Sequence, residues 1–242
     1  MAETGHAKNI EKMQILVSDC TGMGGVYNPS NGALKVSNLQ AALATGQGTM
    51  SGFSDSLIPW KLKVNDREAE FEGSGKLSTR VDAIFASSGA SKQDISDMKG
   101  FVRLIKGGRA KKLKVDDPNT PVDESKHNSV SQRSYTQVVE HWKNIIKLAS
   151  QVAEYNPNEA DLKVPALQTK VDAMELRNQE VIDTLTPVQN ARTARNAALY
   201  DDPTSIYELQ KLVKAYVKGA FGASSPQYKQ ISGLEFTKPR TH

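Results

Sequence analysis

The sequence predicts an all-α protein: two homologous up-and-down helical units in tandem, each built on one long, kinked amphipathic helix. Three observations carry this prediction. A fourteen-residue segment recurs at a constant spacing, apolar residues recur alternately three and four apart over about ten turns, and period-two alternation is absent outside residues 234–238. Helices answer a period near 3.6 and strands a period of two.

The repeat comes first, because a missed repeat misreads a whole fold. Residues 27–40 (Tyr-Asn-Pro-Ser-Asn-Gly-Ala-Leu-Lys-Val-Ser-Asn-Leu-Gln) align with residues 155–168, with eight of fourteen positions identical and an offset of 128. The offset persists, matching Leu57 with Leu185, Pro59 with Pro187 and Arg67 with Arg195. Upstream, after a slip of one residue, Met13, Leu16 and Val17 match Trp142, Ile145 and Ile146. Downstream, after an insertion of five, Met98 and Gly100 match Ile231 and Gly233. The expected organisation is therefore a unit over 1–106, a charged linker over 107–132 and a second unit over 133–242. The linker is rich in glycine, proline and charge, and turns from basic to acidic midway.

Each element follows in order. Residues 7–20 and 133–153 read as the first helix of each unit. Tyr27-Asn28-Pro29 and Tyr155-Asn156-Pro157 end them: asparagine starts a turn and proline fixes φ. They read as an architectural joint, or as a repeated docking site built on Tyr27 and Tyr155. The long helices carry a seam of Val36, Leu39, Leu43, Gly46, Met50, Phe53, Leu57, Trp60, Val64, Arg67 and Phe71. Its counterpart is Val164, Leu167, Val171, Met174, Asn178, Val181, Leu185, Val188, Arg192, Arg195 and Leu199. Such heptad spacing argues shallow packing against neighbouring helices over roughly 55 Å. Pro59 and Pro187 remove a backbone hydrogen bond and predict a kink, with a break and short loop as the alternative. Residues 76–88 and 204–221 read as the next helices, and 91–105 and 224–234 as the last, capped by Ser91 and Ser224.

Several motifs have a plain structural reading. An apolar run ending in Gly22-Met23-Gly24-Gly25 suggests a phosphate loop, but its repeat counterpart at 144–154 is helical and glycine-free, and no Gly-Lys-Ser/Thr follows. Cys20 then reads as a small buried hydrophobe. Gly46, Gly48 and Gly52 cost a helix about 1 kcal/mol each, so close approach of another helix is expected there. Arg67, Arg192 and Arg195 replace apolar seam residues; either the helix end leaves the core and they snorkel, or they form ion pairs that fix register. His141 reads as a helix-surface histidine. Glu68, Glu70 and Glu72 alternate and cannot converge on one ion from a helix.

Composition narrows function. The 242 residues carry 31 Lys+Arg against 27 Asp+Glu, a net charge of +4, with one cysteine and four histidines. A disulfide framework and a Cys-rich zinc site are excluded, and no Glu-x-x-His supports a di-iron bundle. No cofactor, metal or small-molecule substrate is expected, and no enzyme. No basic start precedes an apolar region, and no window of 18 apolar residues occurs, which points to the cytoplasm without a membrane span. Arg103, Lys106, Arg109, Lys111, Lys112 and Lys114 put six cations in twelve residues without an acid; the remainder carries 4 − 6 = −2. This stretch reads as a solvated linker or as a contact to nucleic-acid phosphates.

The Tyr-Asn-Pro repeats, the long heptad helices and the closing residues 224–234 (Ser-Ser-Pro-Gln-Tyr-Lys-Gln-Ile-Ser-Gly-Leu) resemble a bacterial, Bacteroidetes-type family of duplicated helical proteins with no known activity. The resemblance covers nearly the whole chain and implies a duplicated helical protein in the cytoplasm; it transfers no functional residue. The expected function is a structural or protein-interaction scaffold, joined to a protein partner or to copies of itself. Nucleic-acid binding through the basic stretch is the alternative, and membrane action by amphipathic helices the weaker one.

Overall fold

A computed structural model describes residues 4–107 and 133–239. Its α-helices are α1 (Thr4–Gly22), α2 (Val36–Phe71), α3 (Ser74–Ser87), α4 (Lys92–Lys106), α5 (Tyr135–Gln151), α6 (Val164–Asn196), α7 (Ile206–Phe221) and α8 (Pro226–Ser232), with no strand among the described residues. The all-α class holds. α1 runs straight through Cys20, which is fully buried, so the run before the glycines is helix and not the strand a phosphate loop follows.

The seam predicts the packed face of the long helices. All eleven seam positions of α2 are buried or half-buried, as are ten of eleven in α6, Arg192 being the exception. Both helices run unbroken past Pro59 and Pro187. Seam side chains on both sides of each proline hold the helix together across the missing hydrogen bond. The alternative, a break with a short loop, does not occur.

Caps follow the side chains. The hydroxyls of Ser91, Ser134, Ser205 and Ser225 accept from the backbone N–H three residues on, as N-cap serines do. The cap expected at Ser224 lies one residue later because Pro226 takes the first helical position, where its missing N–H costs nothing. α6 ends in a π-helical turn, Ala197–Asp201, which buries Leu199 and Tyr200 together.

Packing divides the chain differently from the boundaries expected at 106 and 133. One compact unit comprises Met1–Lys61 with Thr184–His242, the other Leu62–Asp183. The division falls within α2 and within α6. A helix of 36 residues spans about 54 Å, longer than one small core, so its two ends serve different cores. In the first unit, Met13, Leu16, Val17 and Cys20 of α1, with Leu34 and Leu39, pack against Leu199, Ile206, Leu209, Val213 and Ile231. In the second, Val81, Phe85, Met98 and Val102 of α3 and α4 pack against Trp142, Ile145, Leu162, Leu167 and Met174.

A buried polar cluster ties the end of the chain into the first unit. Asn9 Nδ2 donates to the Thr237 carbonyl at 2.7 Å, and the Thr237 N–H donates back to Asn9 Oδ1 at 3.1 Å. Asn9 also donates to Tyr200 Oη, which lies 2.7 Å from His6 Nδ1. Lys12 donates to the Glu235 carbonyl and Lys214 to the Leu234 carbonyl. Four backbone groups between Leu234 and Thr237 thus meet side chains of α1 and α7, and the segment forms no strand.

The glycines of α2 separate into two kinds. A Cβ on Gly46 would stand 2.7 Å from Ile206 Cδ1 and 2.8 Å from Ile10 Cδ1, whereas Gly48 and Gly52 face open space. Close approach explains Gly46 alone. Gly48→Ala and Gly52→Ala are each expected to stabilise the protein by up to about 1 kcal/mol, while Gly46→Leu costs about 1–3 kcal/mol by overpacking. Urea midpoints of the three variants check the opposite signs.

Candidate interaction site

The tyrosines of the two joints are buried, and each hydroxyl is spent locally. Tyr27 Oη donates to the Leu34 carbonyl at 2.8 Å and Tyr155 Oη to the Leu162 carbonyl at 2.7 Å. Each ring closes its own turn over the start of the long helix, and burial raises both phenols. Tyr27 also meets Tyr216 edge-on and borders Cys20, whose thiol burial pushes up to about 11. A thiol so placed is inert.

The seam arginines behave in three ways. Arg195 is 5% exposed; its guanidinium lies 4.5 Å from the Phe53 ring centroid and donates to Asn196 Oδ1. Arg67 stacks 4.0 Å over Tyr135, which meets Phe71 edge-on. Arg192 is exposed. Snorkelling therefore fails for Arg195, where the helix stays in the core and the flat cation finds an aromatic face. Ion pairs do cross between α2 and α6 in the second unit, through other residues: Lys63 to Glu180 at 3.1 Å and Lys170 to Glu70 at 2.7 Å. Their antiparallel register was invisible in sequence, since charge spacing on one helix names no partner on another.

His141 is buried rather than on the helix surface, and its Nε2 meets no hydrogen-bond partner among the described residues. α5 packs against α4, and His141 shares its inward side with Trp142 and Ile145. Asp82 of α3 is a further surprise: burial raises its carboxyl, opposed by the charges of Lys99 and Lys106. A carboxyl raised by folding holds its proton better in the native state, so stability falls as pH rises above the usual carboxylate range. Asp82→Asn is expected to raise the thermal midpoint at neutral pH and to reduce that fall. Calorimetry across mildly acidic to neutral pH checks both.

Of the basic stretch, Arg103 and Lys106 are exposed in the last turns of α4. Arg109, Lys111, Lys112 and Lys114 lie outside the described residues.

A shallow groove of about 400 Å³ runs between α5 and α6 in the second unit. Val139 and Asn178 form part of its lining, Leu176 and Ile182 rise on the α6 side, and Glu140 and Glu175 flank it. Leu176 and Ile182 are 57% and 59% exposed, high for large apolar side chains that sit together at one groove. Lys143 bridges Glu140 at 3.1 Å and Glu175 at 2.5 Å, which fixes the rim. Nothing in the sequence marks this groove, because Leu176 and Ile182 stand outside the seam. Ile58 and Leu62 of α2 are similarly exposed. Among the described residues no three His, Cys, Asp or Glu side chains are placed to hold a metal ion, and no helix is long and apolar enough to cross a membrane.

No protein-family model, curated protein or solved structure matches this chain.

Proposed function

We propose that the chain is a non-enzymatic helical scaffold, made by duplication of a unit of about one hundred residues, that presents the α5–α6 groove to another protein surface. Duplication is supported by paired burial. Met13, Leu16, Val17 and Cys20 are as fully buried as Trp142, Ile145, Ile146 and Ala149 one offset later. The two joint tyrosines make the same hydrogen bond to a carbonyl seven residues on. Val81 and Phe85 share burial with Leu209 and Val213.

The observation that carries the scaffold reading is the exposed pair Leu176 and Ile182 beside a rim of fixed charge. Apolar centres with polar rims are the anatomy of protein interfaces. A second copy of the chain is the partner tested first. Sedimentation equilibrium is expected to show association that rises with concentration. Leu176→Glu combined with Ile182→Glu abolishes it and leaves the helical circular dichroism unchanged. A monomer at every concentration contradicts the self-assembling form of the proposal.

A further inference from the structure

The outward face of α4 carries a row of four cations and one serine, of which Arg103 and Lys106 are the C-terminal end. Lys92, Ser96, Lys99, Arg103 and Lys106 follow one another at alternating steps of four and three. They share one side of the helix, and all five are exposed. The opposite face, Met98, Val102 and Ile105, is locked in the core. From Lys92 to Lys106 the row rises about 21 Å. None of the four cations forms an ion pair among the described residues. Of the two acids on α4, Asp94 accepts from the Ser91 hydroxyl at the cap, and Asp97 falls outside the row. Asp82 of α3 acts on Lys99 and Lys106 of the row. Four exposed like charges along one helix face, none of them in an ion pair among the described residues, are a feature to explain, since like charges repel one another.

We propose that this face of α4 binds the phosphate backbone of a double-stranded nucleic acid. Charge complementarity selects that partner. A duplex strand presents a phosphate every 3.4 Å or so of axis, about six over the length of the row. Interfaces with nucleic acid are polar and strongly positive, whereas a protein interface needs an apolar anchor at its centre. The row holds Ser96 and four cations, and no apolar or aromatic side chain. A membrane-surface helix is excluded by the same composition: it must bury an apolar face in lipid, and the apolar face of α4 is already occupied. Without groove-reading side chains, the contact is to backbone and carries no sequence preference.

The test is fluorescence anisotropy of a short labelled DNA duplex titrated with the full chain over a series of salt concentrations. Four phosphate contacts give a slope of log affinity against log salt near −3.6, so affinity falls roughly 150-fold between about 50 and 200 mM salt. Lys99→Gln with Arg103→Gln is expected to halve that slope. Replacing all four cations by glutamine abolishes binding, with the helical circular dichroism unchanged because the side chains are exposed. No binding at low salt, or an unchanged slope in the fourfold variant, overturns the proposal. So does binding that survives in the fourfold variant and disappears on changing Lys111, Lys112 and Lys114 to glutamine. Tighter binding to phosphatidylserine vesicles than to the duplex overturns it in favour of a lipid surface. The groove variants Leu176→Glu and Ile182→Glu leave duplex binding intact, which keeps this proposal separate from the scaffold reading.

Discussion

Trp142→Ala is expected to cost about 3–5 kcal/mol, the range for deleting a large buried aromatic. Trp142 is 1% exposed, and its Nε1 donates to Ser74 Oγ at 2.7 Å in a buried setting. It therefore fastens α5 to the first turn of α3 while filling the middle of the second core. Truncation opens a cavity and also removes the donor that holds a buried hydroxyl. Trp142→Phe separates the two effects, keeping most of the volume and losing only the hydrogen bond, at about 1 kcal/mol. Urea titration reads both, and hydrogen exchange shows where the loss falls. Protection is expected to drop in Leu62–Asp183 before it drops elsewhere, since Trp142 belongs to that unit. A loss below about 1 kcal/mol for Trp142→Ala contradicts the assigned role of this side chain.

What the sequence revealed was the face each helix buries. The seam from Val36 to Phe71 and its copy mark buried positions almost without exception, because spacing alone decides which side chains share a face. Ser91 was legible as a cap, Cys20 as a core residue, and the Tyr-Asn-Pro joints as turns. Partner choice was illegible. α1 packs with α7 and α8, from the far end of the sequence. In a repeated sequence, corresponding faces have similar shapes and polarity, so periodicity cannot say which copy a helix will join. The Asn9–Thr237 pair, 228 residues apart, is beyond any local pattern for the same reason. On α4, the density of cations along the chain marks Arg103 and Lys106, while helical spacing adds Lys92 and Lys99. Leu176 and Ile182 were passed over because an apolar residue off the seam carries no signal until its exposure is known.

This choice of partners has the largest consequence of all. The first core draws seven buried residues from each half of the sequence: Met13, Leu16, Val17, Cys20, Tyr27, Leu34 and Leu39, then Leu199, Tyr200, Ile206, Leu209, Val213, Val217 and Ile231. The second core draws Val81, Phe85, Met98, Val102 and Ile105 from the first half and the rest from the second. Neither half owns a complete core. A chain ending at 106 presents the apolar face of α1 and those of α3 and α4 without their partners, and isolated helices of such lengths are marginal in water. Residues 1–106 alone and residues 133–242 alone are therefore expected to lack a cooperative unfolding transition. Mixed together, they regain one, because the described residues of both cores all lie in segments present in the mixture.

That complementation is the most direct measurement of how this protein is built. Thermal unfolding followed by circular dichroism at the helical bands is recorded for each half and for an equimolar mixture. A cooperative transition in the mixture, absent from both halves, is the predicted result. A monomeric half that unfolds cooperatively by itself contradicts the account, since its core would then be complete without the other half.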